Sequence, residues 1–158
     1  NDADVGLAST IITCMGLLVA LSCLGFDIAF IRFLNKSEKP AEFINSGLTI
    51  TGITTLFVAF VFVMGIGLWS PALGFVKDNP ICAAAFVIFT VFLTLSSILD
   101  YIFIAKRRAG YVLSKNTFIS ILKVALPFIF VVSFRSFGIV SSLGTATALI
   151  VIIFLFLF

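Results

Sequence analysis

The sequence predicts an all-α protein, a polytopic transmembrane helical bundle with about five spans. Hydrophobic residues make up 61% of the 158 residues and charged residues only 11%, whereas a soluble globular domain carries about 25% charge. The apolar residues form long continuous runs, and a membrane span needs about 20 of them. Barrel strands would instead alternate over segments of about ten residues. We therefore predict helices, in which the backbone N–H and C=O groups hydrogen-bond to one another within the lipid.

Five predicted helices, a to e, follow from these runs. Their approximate bounds are residues 5–34, 43–69, 81–105, 112–134 and 137–158. Helix b ends at Ser70-Pro71, because proline has no amide hydrogen for a helical hydrogen bond. Helix c begins just after Asn79-Pro80. The first residue is not methionine and no basic leader precedes the first apolar run. We therefore expect an internal fragment of a longer protein.

The sequence offers little for metal or redox chemistry. It contains no histidine, which is the commonest general base and a common metal ligand. Cys14, Cys23 and Cys82 lie in apolar sequence, and their spacing matches no zinc or redox motif. We predict no metal, no cofactor and no nucleic-acid partner.

The basic residues predict how the helices cross the membrane. Seven fall in the connections a–b and c–d: Arg32, Lys36, Lys39, Lys106, Arg107, Arg108 and Lys115. Only Lys77 and Arg135 fall in the connections b–c and d–e. Because basic loops remain in the cytoplasm, residues 32–42 and 105–115 are predicted to be cytoplasmic and residue 1 outside. The expected location is the cytoplasmic (plasma) membrane.

Small and polar residues follow one face of several predicted helices. Helix a places them at Ser9, Thr13, Gly16, Ala20, Cys23 and Asp27, and helix b at Asn45, Thr49, Gly52 and Ala59. Spacings of three and four residues keep such positions on one helix face. Two interpretations stay open: the faces pack against neighbouring helices, or they line a water-filled cavity.

Asp27, Asp100 and Lys123 are charged residues in the predicted cytoplasmic halves of their spans. A lysine near the middle of a span costs about 2.5 to 3.5 kcal/mol on insertion scales, although snorkelling lowers that cost. Either aspartate is a candidate partner for Lys123. The nearby run Lys106-Arg107-Arg108 either sets topology alone or attracts an anionic substrate such as a diphosphate head group.

Two stretches of the chain resemble polysaccharide flippases of the multidrug/oligosaccharidyl-lipid/polysaccharide exporter superfamily. GFDIAFIRFLNKSEK resembles the end of their second span, with an acidic residue and then "RF" before a short loop. DYIFIAKRRAGYVLSKNTFISILKVALP resembles their fourth and fifth spans, with a basic pair, an asparagine and then "K…LP". Asn35-Lys36 departs from the family, which often has Pro-Glu after "RFL". The resemblance covers essentially the whole chain as spans two to six.

The resemblance implies part of the amino-terminal bundle of a transporter with about 12 to 14 spans. Such a protein moves a polyprenyl-diphosphate-linked oligosaccharide, for example an O-antigen unit of lipopolysaccharide, to the outer leaflet by rocking its bundles. Its partners would be the bilayer, the lipid-linked oligosaccharide and other polysaccharide-assembly proteins. The resemblance implies a substrate pathway lined by Asn45, Arg32, Arg107, Arg108, Asn116 and Lys123. It implies a role in ion coupling or charge pairing for Asp27 and Asp100.

Three other functions remain open. A multidrug or cation antiporter of the same superfamily would need acidic residues deep in its cavity, whereas those here lie near the predicted cytoplasmic end. A membrane glycosyltransferase or polymerase usually has a long polar loop, and the longest polar connections here are about ten residues. A scaffold without a transport path is the third. We expect a transporter and not an enzyme.

Overall fold

The computed structural model describes the backbone of residues 2–70 and 73–157, and the side chains of residues 6–68, 70, 73–76, 78–125 and 144–153. Within this part of the chain every regular element is a helix, which confirms the predicted all-α class. The helices are α1 (Asp2–Ser22), α2 (Phe26–Phe33), α3 (Pro40–Met64), α4 (Ile66–Trp69), α5 (Gly74–Asp78), α6 (Pro80–Ala105) and α7 (Ala109–Leu157). A 3₁₀ turn, Leu34–Lys36, joins α2 to the segment before α3.

Predicted helix a is divided into α1 and α2. Leu24 and Gly25 between them have positive φ angles of 48° and 80°, and a left-handed residue is a common way to end a helix. Glycine adopts this conformation without a Cβ clash, so Gly25 is the sequence feature that marks the break. The chain bends by 50° here, so α2, which carries Asp27 and Arg32, runs in a different direction from α1.

Helix α6 lies at the centre of the described bundle, because it packs against α1, α2, α3 and α7. Its start is set by Asn79, whose side-chain oxygen accepts a hydrogen bond of 3.0 Å from the Ile81 amide, and by Pro80 in the first turn. Buried Phe86, Ile98 and Leu99 each belong to a different apolar cluster around it. This helix therefore holds the others together.

Helix α7 is continuous where the sequence predicts helices d and e. Its 49 residues would extend for about 74 Å at roughly 1.5 Å per residue, more than twice the hydrocarbon thickness of about 30 Å. A single straight span of that length does not fit a bilayer. The predicted junction at residues 134–137 lies outside the described side chains, as do Lys77 and Arg135, so the division into two spans stays a prediction.

Among the residues whose side chains the structure describes, two helices are long and apolar enough to cross a membrane, Pro40–Met64 and Pro80–Ala105. The bent pair Gly6–Ser22 and Phe26–Lys36 makes a third if it is counted as one broken span. These results support a membrane protein. The predicted total of about five spans and the larger transporter stay predictions.

The small-residue face predicted for helix a points away from the described bundle. Ser9, Thr13, Gly16 and Ala20 are exposed, while the opposite face buries Ala8, Ile11, Met15 and Leu18. Helix α3 likewise exposes Asn45 and Thr49 and buries Gly47, Thr51, Thr55 and Ala59. Of the predicted small-residue positions, Cys23 and Ala59 are the buried ones. The exposed polar faces are thus not contacts between the described helices.

Candidate functional site

A buried lysine joins α6 to α7. The side chain of Lys115 is 0% exposed, and its Nζ lies 2.9 Å from Oδ1 of Asp100 on α6. The same ammonium donates hydrogen bonds to the backbone oxygen of Ser96 at 2.8 Å and to the Ser96 Oγ at 2.7 Å. An ammonium has three hydrogens, and it has three oxygen neighbours here. The buried charge is therefore held by two hydrogen bonds to Ser96 and one ion-pair contact with Asp100.

The second carboxylate oxygen of Asp100 faces α7 as well. The Asn116 Nδ2 lies 3.4 Å from Oδ2 of Asp100, so two consecutive residues of α7 contact one carboxylate. Asp100 lies five residues before the end of α6 at Ala105, which is about 8 Å along a helix axis. We call Ser96, Asp100, Lys115 and Asn116 the charged contact. It lies about two turns from the basic connection between α6 and α7.

Lys115 was expected only to mark topology, and the pairing that the structure describes for Asp100 is with Lys115 rather than Lys123. The sequence contains both residues, but which carboxylate meets which lysine depends on how the helices are rotated against each other. No sequence feature singled out this pairing, because Lys115 lies near the start of predicted helix d, where a lysine can snorkel to the membrane interface. Asp27, half-buried on α2, makes no ion pair within the described residues.

The two predicted cytoplasmic connections meet at one end of the bundle. The Asn35 Nδ2 donates a hydrogen bond of 2.7 Å to the backbone oxygen of Ala105, and thereby fastens the 3₁₀ turn to the end of α6. This contact brings the segment containing Arg32 and Lys36 next to Lys106-Arg107-Arg108. Arg32, Arg107 and Arg108 are all exposed. We call these five basic residues the basic end.

The turn at Arg107 has a defined conformation. The Arg108 amide donates to the Phe103 oxygen and the Arg107 amide to the Ile104 oxygen, both at 2.9 Å, which is the hydrogen-bond pattern of a Schellman motif. The left-handed position of that motif is usually glycine, and here it is Arg107 with φ 56°. A left-handed conformation is costly for a residue with a Cβ. Retaining an arginine here is compatible with a use for its side chain.

Aromatic rings support the adjacent arginine. The Tyr111 ring at the start of α7 stacks on the Phe103 ring near the end of α6, with centroids 5.5 Å apart and an interplanar angle of 14°. The guanidinium of Arg108 lies over the Tyr111 ring, 5.9 Å from its centroid, within the range of a cation–π interaction. Arg108 is thus oriented by a contact that depends on how α7 sits on α6.

The basic end brings five basic side chains close together. Burial, and then the neighbouring Arg108, lower the pKa of the Lys106 ammonium. Burial disfavours the charged form of the lysine, and the Arg108 guanidinium disfavours a second positive charge beside its own. The electrostatics therefore suit an anion, which would relieve the repulsion between these cations.

Lys123 lies apart from the basic end. It is half-buried and lines a cavity of about 50 Å³ with Ile12, Met15, Phe89 and Thr147. One buried water needs about 10 to 15 Å³ of such volume, so the cavity has room for a few waters. Among the residues that the structure describes, no carboxylate pairs with Lys123. The predicted pathway positions Asn45 and Asn116 are exposed.

An apolar groove runs between α1 and α3. Its volume is about 440 Å³, and its lining consists of Cys14, Leu17, Leu18, Leu21, Val58, Val61, Phe62 and Ser70. Such a lining matches a hydrocarbon chain. No group of three or more acidic, cysteine or histidine side chains able to hold a metal ion occurs in the described part of the chain.

Comparison with known proteins identifies a family. A family model described as "Polysaccharide biosynthesis protein" matches residues 1–158. The match includes the two stretches that carry the resemblance noted in the sequence, and it confirms that resemblance at the level of the family. No curated protein and no solved structure matches the chain.

Proposed function

Because the chain belongs to the polysaccharide biosynthesis protein family over its whole length, we propose that it flips a polyprenyl-diphosphate-linked oligosaccharide across the plasma membrane. It would do so as part of the amino-terminal bundle of a transporter with about 12 to 14 spans. The observation that carries the proposal is the combination of this family with apolar membrane-length helices and a basic end.

The basic end supports an anionic lipid head group as the substrate. Arg32, Arg107 and Arg108 are exposed at the end where Asn35 joins the 3₁₀ turn to α6. Arginine guanidinium groups match phosphate geometry through paired hydrogen bonds. Helix α7 begins directly after them at Ala109, and the positive end of a helix dipole also favours an anion. We place the diphosphate here during loading from the cytoplasmic side.

The remaining features are compatible with a lipid carrying a sugar. The groove between α1 and α3 would accept part of the hydrocarbon chain. The exposed polar positions of α1 and α3, from Ser9 to Ala20 and at Asn45 and Thr49, would face the hydrated path of the oligosaccharide. Other polysaccharide-assembly proteins would supply the substrate and accept it after translocation.

A multidrug or cation antiporter of the same superfamily is the second candidate. It needs an acidic residue free to bind a proton or a cation. Asp100 is engaged with Lys115 and Asn116, which favours the flippase, whereas the half-buried Asp27 without an ion pair in the described residues favours the antiporter. Cation-coupled export of a drug by the wild-type protein, abolished by Asp27→Asn, would identify an antiporter, because a flippase specific for a lipid-linked oligosaccharide does not export drugs.

A flipping assay tests the proposal against an enzymatic role. The full-length protein is reconstituted in vesicles with a fluorescent diphosphate-linked oligosaccharide, and the outer-leaflet label is quenched with time. We expect faster redistribution between leaflets than in empty vesicles, without extension or cleavage of the sugar on mass spectrometry. Sugar transfer without redistribution would establish a glycosyltransferase or polymerase instead. Neither activity, in protein shown to be folded, would favour a scaffold.

A further inference from the structure

We propose that Lys115 is a positioning residue for the basic end: it fixes α7 on α6 so that Arg107 and Arg108 are held ready for the substrate's head group. The proposal rests on the proposed function for the identity of that head group. The fixing of the two helices stands on geometry alone.

The contacts of the lysine restrain the start of α7. Its ammonium has three oxygen neighbours within 2.9 Å, all on α6: two on Ser96 and one on Asp100. A fully buried charge tolerates little displacement from its partners, because any lost contact exposes the ammonium to an apolar surrounding. The first two turns of α7 are therefore restrained both along and around the axis of α6.

The restrained start of α7 also positions the arginines. Lys115 lies one helical turn beyond Tyr111, and residues three or four apart share a helix face. Tyr111 stacks on Phe103 and lies under the guanidinium of Arg108. The Schellman turn at Arg107 is closed by amides that donate to the last turns of α6. Rotating or sliding α7 would disrupt both the stack and this turn.

Lys115 itself is inaccessible to a substrate. Its side chain is 0% exposed, so it cannot bind the head group itself in this conformation, unlike the exposed Arg107 and Arg108. Its effect on transport must therefore act through other residues. If it acts through Arg107 and Arg108, the effects on transport of replacing Lys115 and of replacing these arginines should not be additive.

The test combines a conformational and a transport measurement. The first measures trypsin cleavage after residues 106–108 in the purified full-length protein, because a protease needs the turn to open locally. We expect Lys115→Met to speed this cleavage about tenfold. Lys39→Met is the matched control, since Lys39 pairs with Glu42 on an exposed surface, and it should leave cleavage unchanged. Cleavage of the Lys115 variant at the wild-type rate would overturn the proposal.

The second measurement is a double-mutant cycle on flipping. A small displacement of a binding group is enough for a large loss, so Lys115→Met should raise the half-saturating substrate concentration about tenfold, with the maximal rate changed less than about twofold. Arg107→Ala with Arg108→Ala should produce a similar rise, and adding Lys115→Met to that pair should add less than about twofold. If the rise in half-saturating concentration caused by Lys115→Met is as large in the double arginine variant as in the wild type, the positioning role is overturned.

A second variant tests the proposal if Lys115→Met alone fails to fold. Lys115→Met leaves the Asp100 charge partly buried, whereas Lys115→Met with Asp100→Asn removes both charges and keeps hydrogen-bonding groups at Ser96 and Asn116. This double variant should fold and still show fast cleavage of the turn. Wild-type cleavage in a folded double variant would contradict the proposal. A wild-type protein that does not flip the lipid contradicts the proposed function instead, and the cleavage result still decides the role of Lys115.

Discussion

Two contacts position the two basic segments of this protein, and they use different chemistry. The charged contact places α7 on α6 through Lys115, Asp100 and Ser96. On the other side of α6, Gly47 of α3 lies under the ring of Phe30 on α2, so close that a Cβ would overlap the ring. Phe43 packs edge-on against the same ring, with centroids 5.4 Å apart. This second site, made by Phe30, Phe43 and Gly47, is the small-residue contact.

The difference concerns how strictly each contact sets an orientation. A buried ammonium requires particular oxygens at particular distances, so the charged contact has few acceptable arrangements. A ring against a glycine requires only space and gains dispersion energy from close approach. The segment carrying Arg32 is therefore positioned by packing together with the Asn35 hydrogen bond to Ala105, whereas α7, which supports Arg108 through Tyr111, is positioned by charge. Substitutions that fill the space at Gly47 or remove the charge at Lys115 should therefore affect the small-residue contact and the charged contact separately.

The largest effect on stability is expected at the charged contact. Lys115→Met should lower the free energy of unfolding by about 3 kcal/mol, because a partly buried carboxylate loses its counter-ion. Denaturant titration of the protein in detergent micelles measures this. Adding Asp100→Asn should recover much of the loss, and Lys39→Met at the exposed pair with Glu42 should change less than about 0.5 kcal/mol. Equal effects for Lys115 and Lys39 would mean that the buried pair does not stabilise the bundle.

The next effect is expected at the small-residue contact. Gly47→Ala should cost about 1 to 3 kcal/mol, because the new methyl group must displace the Phe30 ring. Gly52→Ala, on the same helix, meets nothing within 4 Å and should be neutral or stabilising by up to about 1 kcal/mol. The same titration compares them. A Gly47 variant as stable as the Gly52 variant would show that α2 and α3 do not approach so closely.

Arg107 should separate stability from transport. Arg107→Gly should raise the free energy of unfolding by about 1 kcal/mol, since glycine adopts the left-handed conformation without the Cβ clash. Flipping should nevertheless fall, because a guanidinium is lost from the basic end. Arg108→Gly has no positive φ to relieve and should lower both. A gain in stability without a loss of flipping would remove Arg107 from the substrate path.

The smallest effect is expected for the buried threonines of α3. The hydroxyls of Thr51 and Thr55 donate hydrogen bonds of 2.7 Å to the carbonyls of Gly47 and Thr51 in their own helix. Replacing Thr55 by valine keeps the shape and removes no contact between helices, so the change in unfolding free energy should stay below about 1 kcal/mol. A loss of several kcal/mol would indicate that the hydroxyl bonds across the helix interface.

The sequence predicted what depends on neighbours along the chain. The bounds of α6 agree with those of predicted helix c to about one residue, because Asn79-Pro80 and the run Lys106–Arg108 are local start and stop features. The family also followed from local stretches. The break at Leu24-Gly25 was missed because a single glycine in an apolar run has no fixed meaning in lipid.

Features that depend on helix rotation were not predictable. The small residues at Ser9, Thr13 and Gly16 were candidates for packing, yet α1 buries its opposite face. Lys115 and Asp100 are fifteen residues apart on different helices, and nothing in their spacing selects this pair over Lys123. Both outcomes follow from how α6 packs against its neighbours, which requires the folded structure.

The central claim is that the basic end recognises the diphosphate of a lipid-linked sugar. The most direct measurement compares initial flipping rates of one oligosaccharide on a diphosphate-linked lipid and on an uncharged lipid with the same chain. Each basic residue near an anionic head group contributes about 1 kcal/mol, so the charged substrate should be at least about tenfold faster in the wild type. That ratio should approach one when Arg107 and Arg108 are both replaced by alanine. Equal rates for the two lipids in the wild type would contradict the account.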